Sequence, residues 1–199
     1  IARGDSIDLM EHAARALGYP VVMKPRSEGS SVGVTVHEDR STLLEGAAEC
    51  FRHDSIGLME KFISGRELTV GILDGEALPI IELRPKSRFF DFNAKYQSPD
   101  TQYIVEPSLG DMDVRRIQKA AKEAHAVLGC EGMSRVDLIL TPFCSVYVLE
   151  VNTIPGLTER SLLPKAAKAA GIDFPDLCWR ITDLGMQRRQ NGFWAAAML

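Results

Sequence analysis

Four side chains interrupt an otherwise apolar run, "SRVDLILTPFCSVYVLEVNTIPG" at positions 134–156: Arg135, Asp137, Glu150 and Asn152. Residues two apart on a strand share a face, so Arg135 goes with Asp137 and Glu150 with Asn152. The intervening "TPFCS" is turn-like, punctuated by Pro142 and Ser145. Paired as a hairpin, the two strands can bring both polar pairs to one surface. Burying an unpaired carboxylate costs several kcal/mol, so three oxygen-bearing groups gathered there need a cation. Oxygen-only ligation suits a hard ion such as Mg²⁺, usually shared with the phosphates of a nucleotide. The plain alternative is an exposed sheet face with a structural ion pair from Arg135 to Asp137 or Glu150. On this stretch alone the two readings weigh equally.

Three other patterns have a similar character. In "VVMKPRSEGSSVGV" a lysine ends an apolar strand and a glycine–serine loop follows. Gly29 and Gly33 permit close backbone approach to a ligand. Ser30, Ser31 and loop N–H groups suit phosphate oxygens, and Lys24 their charge. The spacing is not that of a Walker A loop, and a hairpin loop beside a surface lysine explains it as well. In "LMEKFISGRELTV" Glu60 closes one strand and Glu67 opens the next. The segment between them could present backbone groups to a flat heterocycle, and Glu67 could accept both hydroxyls of a ribose; a solvated turn is the alternative. In "DFNAKYQS" Lys95 and Tyr96 sit in a long aperiodic loop, which is either a lid over a phosphoryl group or simply surface.

The elements that must position these groups follow from periodicity and breakers. "DSIDLMEHAARALG" predicts a helix capped by Asp5 or Ser6 and closed by Gly18. "PVVMK", "VTVH" and "IGLMEKFI" predict strands, and "DRSTLLEGAAECFRHD" a second helix. "RELTVGILDGEALPIIEL" predicts a hairpin turning at Asp74–Gly75. "RPKSRFFDFNAKYQSPDTQ" reads as loop, and a helix follows from about 111 to 128. Beyond the polar hairpin, "ERSLLPKAAKAAGI" and "DFPDLCWRITDLGMQRRQ" predict two more helices, whereas "NGFWAAAML" is left unassigned. Mixed helices and hairpins without repeats point to an α+β fold.

The chain has 199 residues, 45% hydrophobic and 25% charged, with a formal net charge of −4, ordinary for a globular protein with a sizeable core. No long basic run favours nucleic acid. Four cysteines without a Cys-x-x-Cys spacing read as reduced thiols in a cytoplasmic protein. No apolar stretch approaches the ~20 residues of a membrane span, and no signal peptide is expected.

Taken in order, the four patterns resemble the ATP-grasp superfamily, and more narrowly the D-alanine–D-alanine ligase family. The resemblance runs from about Leu17 to Ile172, through "EGSSVGV", "EKFISGRELTV", "AKYQS", "TQY", "SRVD" and "LEVNTIPGLTERSLLPKAAKAAGI". Glu-x-Asn is generic to the superfamily; "NTIPG" followed by "SLLP" is specific to the ligases. The resemblance implies an ATP-grasp fold of two α+β subdomains, residues 1–60 and 61–199, with nucleotide held between antiparallel sheets. It implies ATP with two Mg²⁺ ions, Mn²⁺ being able to substitute. The implied reaction joins two D-alanines through an acyl phosphate for peptidoglycan synthesis, the alternative being another ATP-grasp carboxylate–amine ligase.

Residue by residue, the resemblance makes Lys24 a phosphate contact and Ser30 and Ser31 part of the covering loop. Glu60, Lys61, Phe62 and Ile63 become the adenine linker and Glu67 the ribose carboxylate. Lys95 becomes the lid lysine, and Tyr96 a lid tyrosine linked through Ser30 to Glu67. Asp137, Glu150 and Asn152 become the metal ligands, Arg135 and the Gly156 N–H the oxyanion donors, and Ser161 and Leu162 the holders of the second D-alanine's carboxylate. Family members are homodimers with a further N-terminal domain that binds the first D-alanine. Nothing precedes Ile1, so that pocket is expected to lie outside this chain, leaving it able to bind nucleotide without turning substrate over.

Overall fold

The computed structural model describes residues 1–29, 31–84 and 101–197, with side chains up to residue 187. The chain divides into two compact units, one built on Ile1–Ile63 and the other on Ser64–Arg84 with Tyr103–Leu199.

In the first unit, helix α1 (Ile7–Leu17) starts where the Ser6 hydroxyl accepts the Leu9 N–H and stops at Gly18, whose φ of +82° only glycine adopts without strain. Strands β1 (Val21–Pro25), β2 (Thr35–His37) and β3 (Gly57–Lys61) form an antiparallel sheet in the order β2-β1-β3. A short 3-10 turn at Arg40–Thr42 leads into α2 (Leu43–His53). Alternation then sorts the sheet. Val21 and Met23 are fully buried in one cluster with Met10, Ala14, Leu43, Ala47 and Cys50 from the helices. Val22 and Lys24, with their cross-strand neighbours Glu60 and Leu58, lie on the other face.

The second unit is a larger sheet with helices on both faces. Strands β4 (Arg66–Leu73), β5 (Glu76–Ala77), β6 (Ile81–Arg84), β7 (Gln102–Val105), β8 (Met133–Leu140) and β9 (Val146–Asn152) form a sheet ordered β7-β6-β4-β8-β9, with β5 also on β4. Leu68, Val70, Ile72, Val136, Leu138 and Leu140 point to one face, against Ile117 and Ala121 of α3 (Asp111–Val127). On the opposite face, α4 (Leu162–Ala169) packs Leu163 and Ala167 with Leu73, Ile81 and Leu177, the last from α5 (Phe174–Ala197). Gly71 allows this approach, because a Cβ there would stand 2.6 Å from Leu163 Cδ1.

Two elements differ from the sequence reading. The predicted loop ends inside strand β7, a short and mostly exposed strand at the sheet edge. The unassigned "NGFWAAA" continues the backbone of α5 to Ala197, consistent with the high helix propensity of alanine. Among the described residues no helix is long and apolar enough to cross a membrane.

Candidate functional site

The polar hairpin owes its geometry to its turn and to one extra residue. Thr141–Ser145 closes a three-residue loop: the Cys144 N–H donates to the Thr141 carbonyl, and Cys144 adopts φ +59°. This turn pairs Leu140 with Val146 and Leu138 with Val148. Continued without interruption, the same register would set Glu150 opposite Val136 and Asn152 opposite Ser134, on the face that packs against α3. The register instead shifts between Asp137 and Leu138, so Asp137 pairs with Glu150 and Arg135 with Asn152. Leu149 is the bulged residue. A bulge reverses side-chain parity beyond it, and here it moves Glu150 and Asn152 onto the face of Arg135 and Asp137.

On that face the four groups touch. Arg135 forks onto Asp137, Nε to Oδ1 at 2.9 Å and Nη2 to Oδ2 at 2.8 Å. The Asn152 amide donates to Asp137 Oδ2 at 3.3 Å and to Glu150 Oε1 at 3.2 Å, which separates two like charges. The Arg135 and Asp137 side chains are 12% and 6% exposed, whereas Glu150 is exposed. The sequence reading missed one member, Thr69 of β4, which lies opposite Asp137 and donates to it at 2.6 Å. Its signal was there: Glu67 and Thr69 are polar at a spacing of two within an apolar strand. Glu67 is 5% exposed and shares that face, opposite Ile139.

The donor set of this face fits a hard divalent cation. Two carboxylates and one carboxamide supply only oxygen, and through one oxygen each they fill half of the six positions of an octahedral ion, leaving the remainder for phosphate and water. Among the described residues no three His, Cys, Asp or Glu side chains gather as a metal group, and the third oxygen donor on this face is the Asn152 carboxamide. The ion pair expected as the plain alternative, Arg135 to Asp137, is also present.

The loop after β9 leads to α4. A Cβ at Gly156 would stand 3.0 Å from the Ser161 hydroxyl, so backbone and side chain are close there. Ser161 occupies the N-cap position without capping the helix; its hydroxyl instead meets the Thr158 hydroxyl at 2.9 Å. Leu162 follows as the first helical residue, at an end where backbone N–H groups and the helix dipole favour anions.

In the first unit, Lys24 Nζ pairs with Glu60 Oε2 at 2.7 Å, with side chains 27% and 46% exposed. A pair so exposed is worth less than ~1 kcal/mol, so an incoming phosphate can take Lys24 from it. Lys61 pairs with Val21 at the end of β3. The Phe62 N–H donates to the Pro20 carbonyl at 2.9 Å, directing the chain towards Ile63. In the glycine–serine loop Ser31 has φ +61°. A side chain at Gly33 would strike His53 and Pro25, while the space at Gly29 is open. Gly33 therefore answers to the protein's own packing rather than to a ligand. Asp54 ties down the start of this loop by accepting the Ser27 N–H at 3.0 Å and the Ile56 N–H at 3.1 Å. Those bonds, Ile56 first, hold its carboxyl down at about 2. Ser30, Lys95 and Tyr96 lie outside the described residues.

Residues 2–183 match the family model described as D-ala D-ala ligase C-terminus. A D-alanine–D-alanine ligase of Syntrophotalea carbinolica is 46% identical over 163 residues, covering 82% of this chain and 53% of the relative. The chain thus spans about half the length of that curated relative. Among solved structures, a D-alanine–D-alanine ligase from Bacillus anthracis complexed with ATP superposes with a TM-score of 0.79 at 35% identity, covering 96% of this chain and 61% of that one. A D-Ala:D-Ser ligase from Enterococcus faecalis superposes with a TM-score of 0.80 at 30% identity, covering 92% and 55%. With these neighbours, the antiparallel α+β architecture is the ATP-grasp fold.

Proposed function

Because the chain belongs to the D-ala D-ala ligase C-terminus family, we propose that it is the nucleotide- and metal-binding part of an ATP-dependent ligase that makes D-alanyl-D-alanine for peptidoglycan precursors. The observation that carries this reading is the tetrad of Arg135, Asp137, Glu150 and Asn152, gathered on one sheet face by the bulge at Leu149. The curated relatives named for this reaction, and the neighbour named as an ATP complex, support it.

In this reading Lys24 and Ser31, with Ser30, bind the phosphates and Glu60–Ile63 the adenine. Glu67 takes the ribose. Asp137, Glu150 and Asn152 would hold two Mg²⁺ ions, or Mn²⁺ in their place, which would supply charge neutralisation to the triphosphate. The carboxylate of one D-alanine attacks the γ-phosphoryl group and releases ADP, giving an acyl phosphate. The amine of the second D-alanine adds to the acyl carbon, loses a proton and expels phosphate. Arg135 and the Gly156 N–H donate to the oxygen on which charge develops, a contribution of ~3–4 kcal/mol for a well-placed donor. Ser161 and the Leu162 N–H hold the acceptor's carboxylate at the start of α4. Lys95 and Tyr96 belong to a lid, a cytoplasmic homodimer is the expected assembly, and the two subdomains are residues 1–60 and 61–199, a boundary set slightly before the Ile63–Ser64 division of the compact units.

Titration calorimetry of the 199-residue chain with ATP and Mg²⁺ tests the binding half. Heat at up to millimolar ATP, dependent on Mg²⁺, is expected, and its absence from a folded sample refutes the reading. The chain alone should release no phosphate from ATP on adding D-alanine. Orienting two substrates is worth effective molarities up to ~10⁵–10⁸ M, and the resemblance implies that the pocket for the first belongs to an N-terminal domain outside the part of the relatives that this chain covers. Rapid D-alanyl-D-alanine formation by the 199 residues alone would show that division of labour to be wrong. Fused to the N-terminal part of a relative, the chain should prefer D-alanine over D-serine and D-lactate as acceptor when the three compete.

A further inference from the structure

Asp137 has no lone pair to spare. A carboxylate offers about four acceptor positions, and four donors reach this one. The Thr69 hydroxyl and Arg135 Nε meet Oδ1 at 2.6 and 2.9 Å. Arg135 Nη2 and Asn152 Nδ2 meet Oδ2 at 2.8 and 3.3 Å. A cation can therefore bind Asp137 only by displacing a donor, and the four are unequal. The Arg135 fork is bidentate and charge-assisted. The Thr69 bond is the shortest of the set, and its other acceptor, the Val136 carbonyl, stands off at 3.4 Å. Thr69 and Asp137 are 2% and 4% exposed, so bulk solvent does not compete for that bond. Asn152 makes the longest bond, and it alone improves the site by leaving. Turning its amide over removes Nδ2 from Oδ2 and brings the carboxamide oxygen beside the position it vacated.

We infer that Thr69 is a positioning residue of the metal site. By keeping Oδ1 engaged and Asp137 in a single orientation, it restricts the carboxylate to offering a cation one oxygen, Oδ2, next to the Asn152 amide that turns to join it. Thr69 itself touches neither metal nor substrate. The inference rests on the metal role proposed above for Asp137 and Asn152.

The test uses Mn²⁺ as the probe, titrated into the 199-residue chain with saturating ATP and followed by electron paramagnetic resonance, with melting curves recorded without metal. Thr69→Val keeps the shape and removes the donor, and should weaken Mn²⁺ binding ~10–100-fold, the usual cost of losing a partner of a metal ligand. Thr69→Ser restores the hydroxyl and should restore the affinity, with Thr69→Cys, a weak donor, in between. If Thr69→Val melts earlier but binds Mn²⁺ as tightly as the parent chain, Thr69 only satisfies a buried carboxylate and the inference is overturned. Should Thr69→Val not fold, equal affinities of the Ser and Cys variants overturn it as well. A parent chain that binds ATP but no Mn²⁺ removes the proposed metal role first, and this inference with it.

Discussion

Replacing Asp137 by alanine would remove the acceptor of four donors in one step. The guanidinium of Arg135, only 12% exposed, would lose both bonds of its fork while remaining in place on β8. Breaking a buried pair by removing one partner costs roughly 3–5 kcal/mol, because the remaining charge stays desolvated. The shorter Thr69 bond is lost with it, but that hydroxyl has the Val136 carbonyl at 3.4 Å to turn to, so little need be added. At several degrees per kcal/mol for a unit of this size, the melting midpoint should fall by roughly 10–20 °C. Urea unfolding followed by circular dichroism measures the free energy directly. The double variant Arg135→Leu, Asp137→Leu should recover much of the loss, since neither charge then remains buried. A change below ~1 kcal/mol for Asp137→Ala would refute the reasoning. Arg135 would then be solvated in the variant, and the tetrad would be a surface cluster rather than a preorganised site.

Glu150→Gln should behave in the opposite way. The residue is exposed, so stability should stay within ~0.5 kcal/mol, while the Mg²⁺ dependence of ATP binding weakens; an unchanged Mg²⁺ dependence in calorimetry would exclude Glu150 from the ligand set. Asp54 predicts an acid-side effect. Its folded carboxyl, held at about 2, lies below the ~3.9 of an unfolded aspartate, so its anchoring of the Ser27 loop is complete above pH ~4 and is lost as pH falls through 2. Asp54→Asn should be less stable at neutral pH and lose less between pH 4 and 2 in acid titrations of the melting midpoint, and parallel curves for the two proteins would show the anchor to be unimportant.

Much of this protein is legible one residue at a time. The Ser6 and Gly18 boundaries of α1, the Asp74–Gly75 turn and the amphipathic span of α3 rest on local rules, and the structure places elements at all of them. Strand β7 was not legible, because "QYIV" is short, largely exposed and paired only at a sheet edge. Thr69 was overlooked because a threonine in a strand is unremarkable until its neighbour is known, and that neighbour, Asp137, is 68 residues away. Lys24 and Glu60 were separately legible as charged strand residues, but their pairing depends on the β1–β3 register.

The sequence by itself determined which chemistry the chain carries: an arginine, two carboxylates and a carboxamide at spacings of two, on strands joined by a short turn. It did not determine that they meet. A three-residue loop dictates a register in which Glu150 and Asn152 would face α3, and a period-two pattern reads equally well on either face. Only the folded sheet settles the parity. With Val136 and Leu138 committed to the core, the chain inserts Leu149 as a bulge, since a buried carboxylate opposite Val136 would cost several kcal/mol and one irregular residue at the sheet edge costs far less.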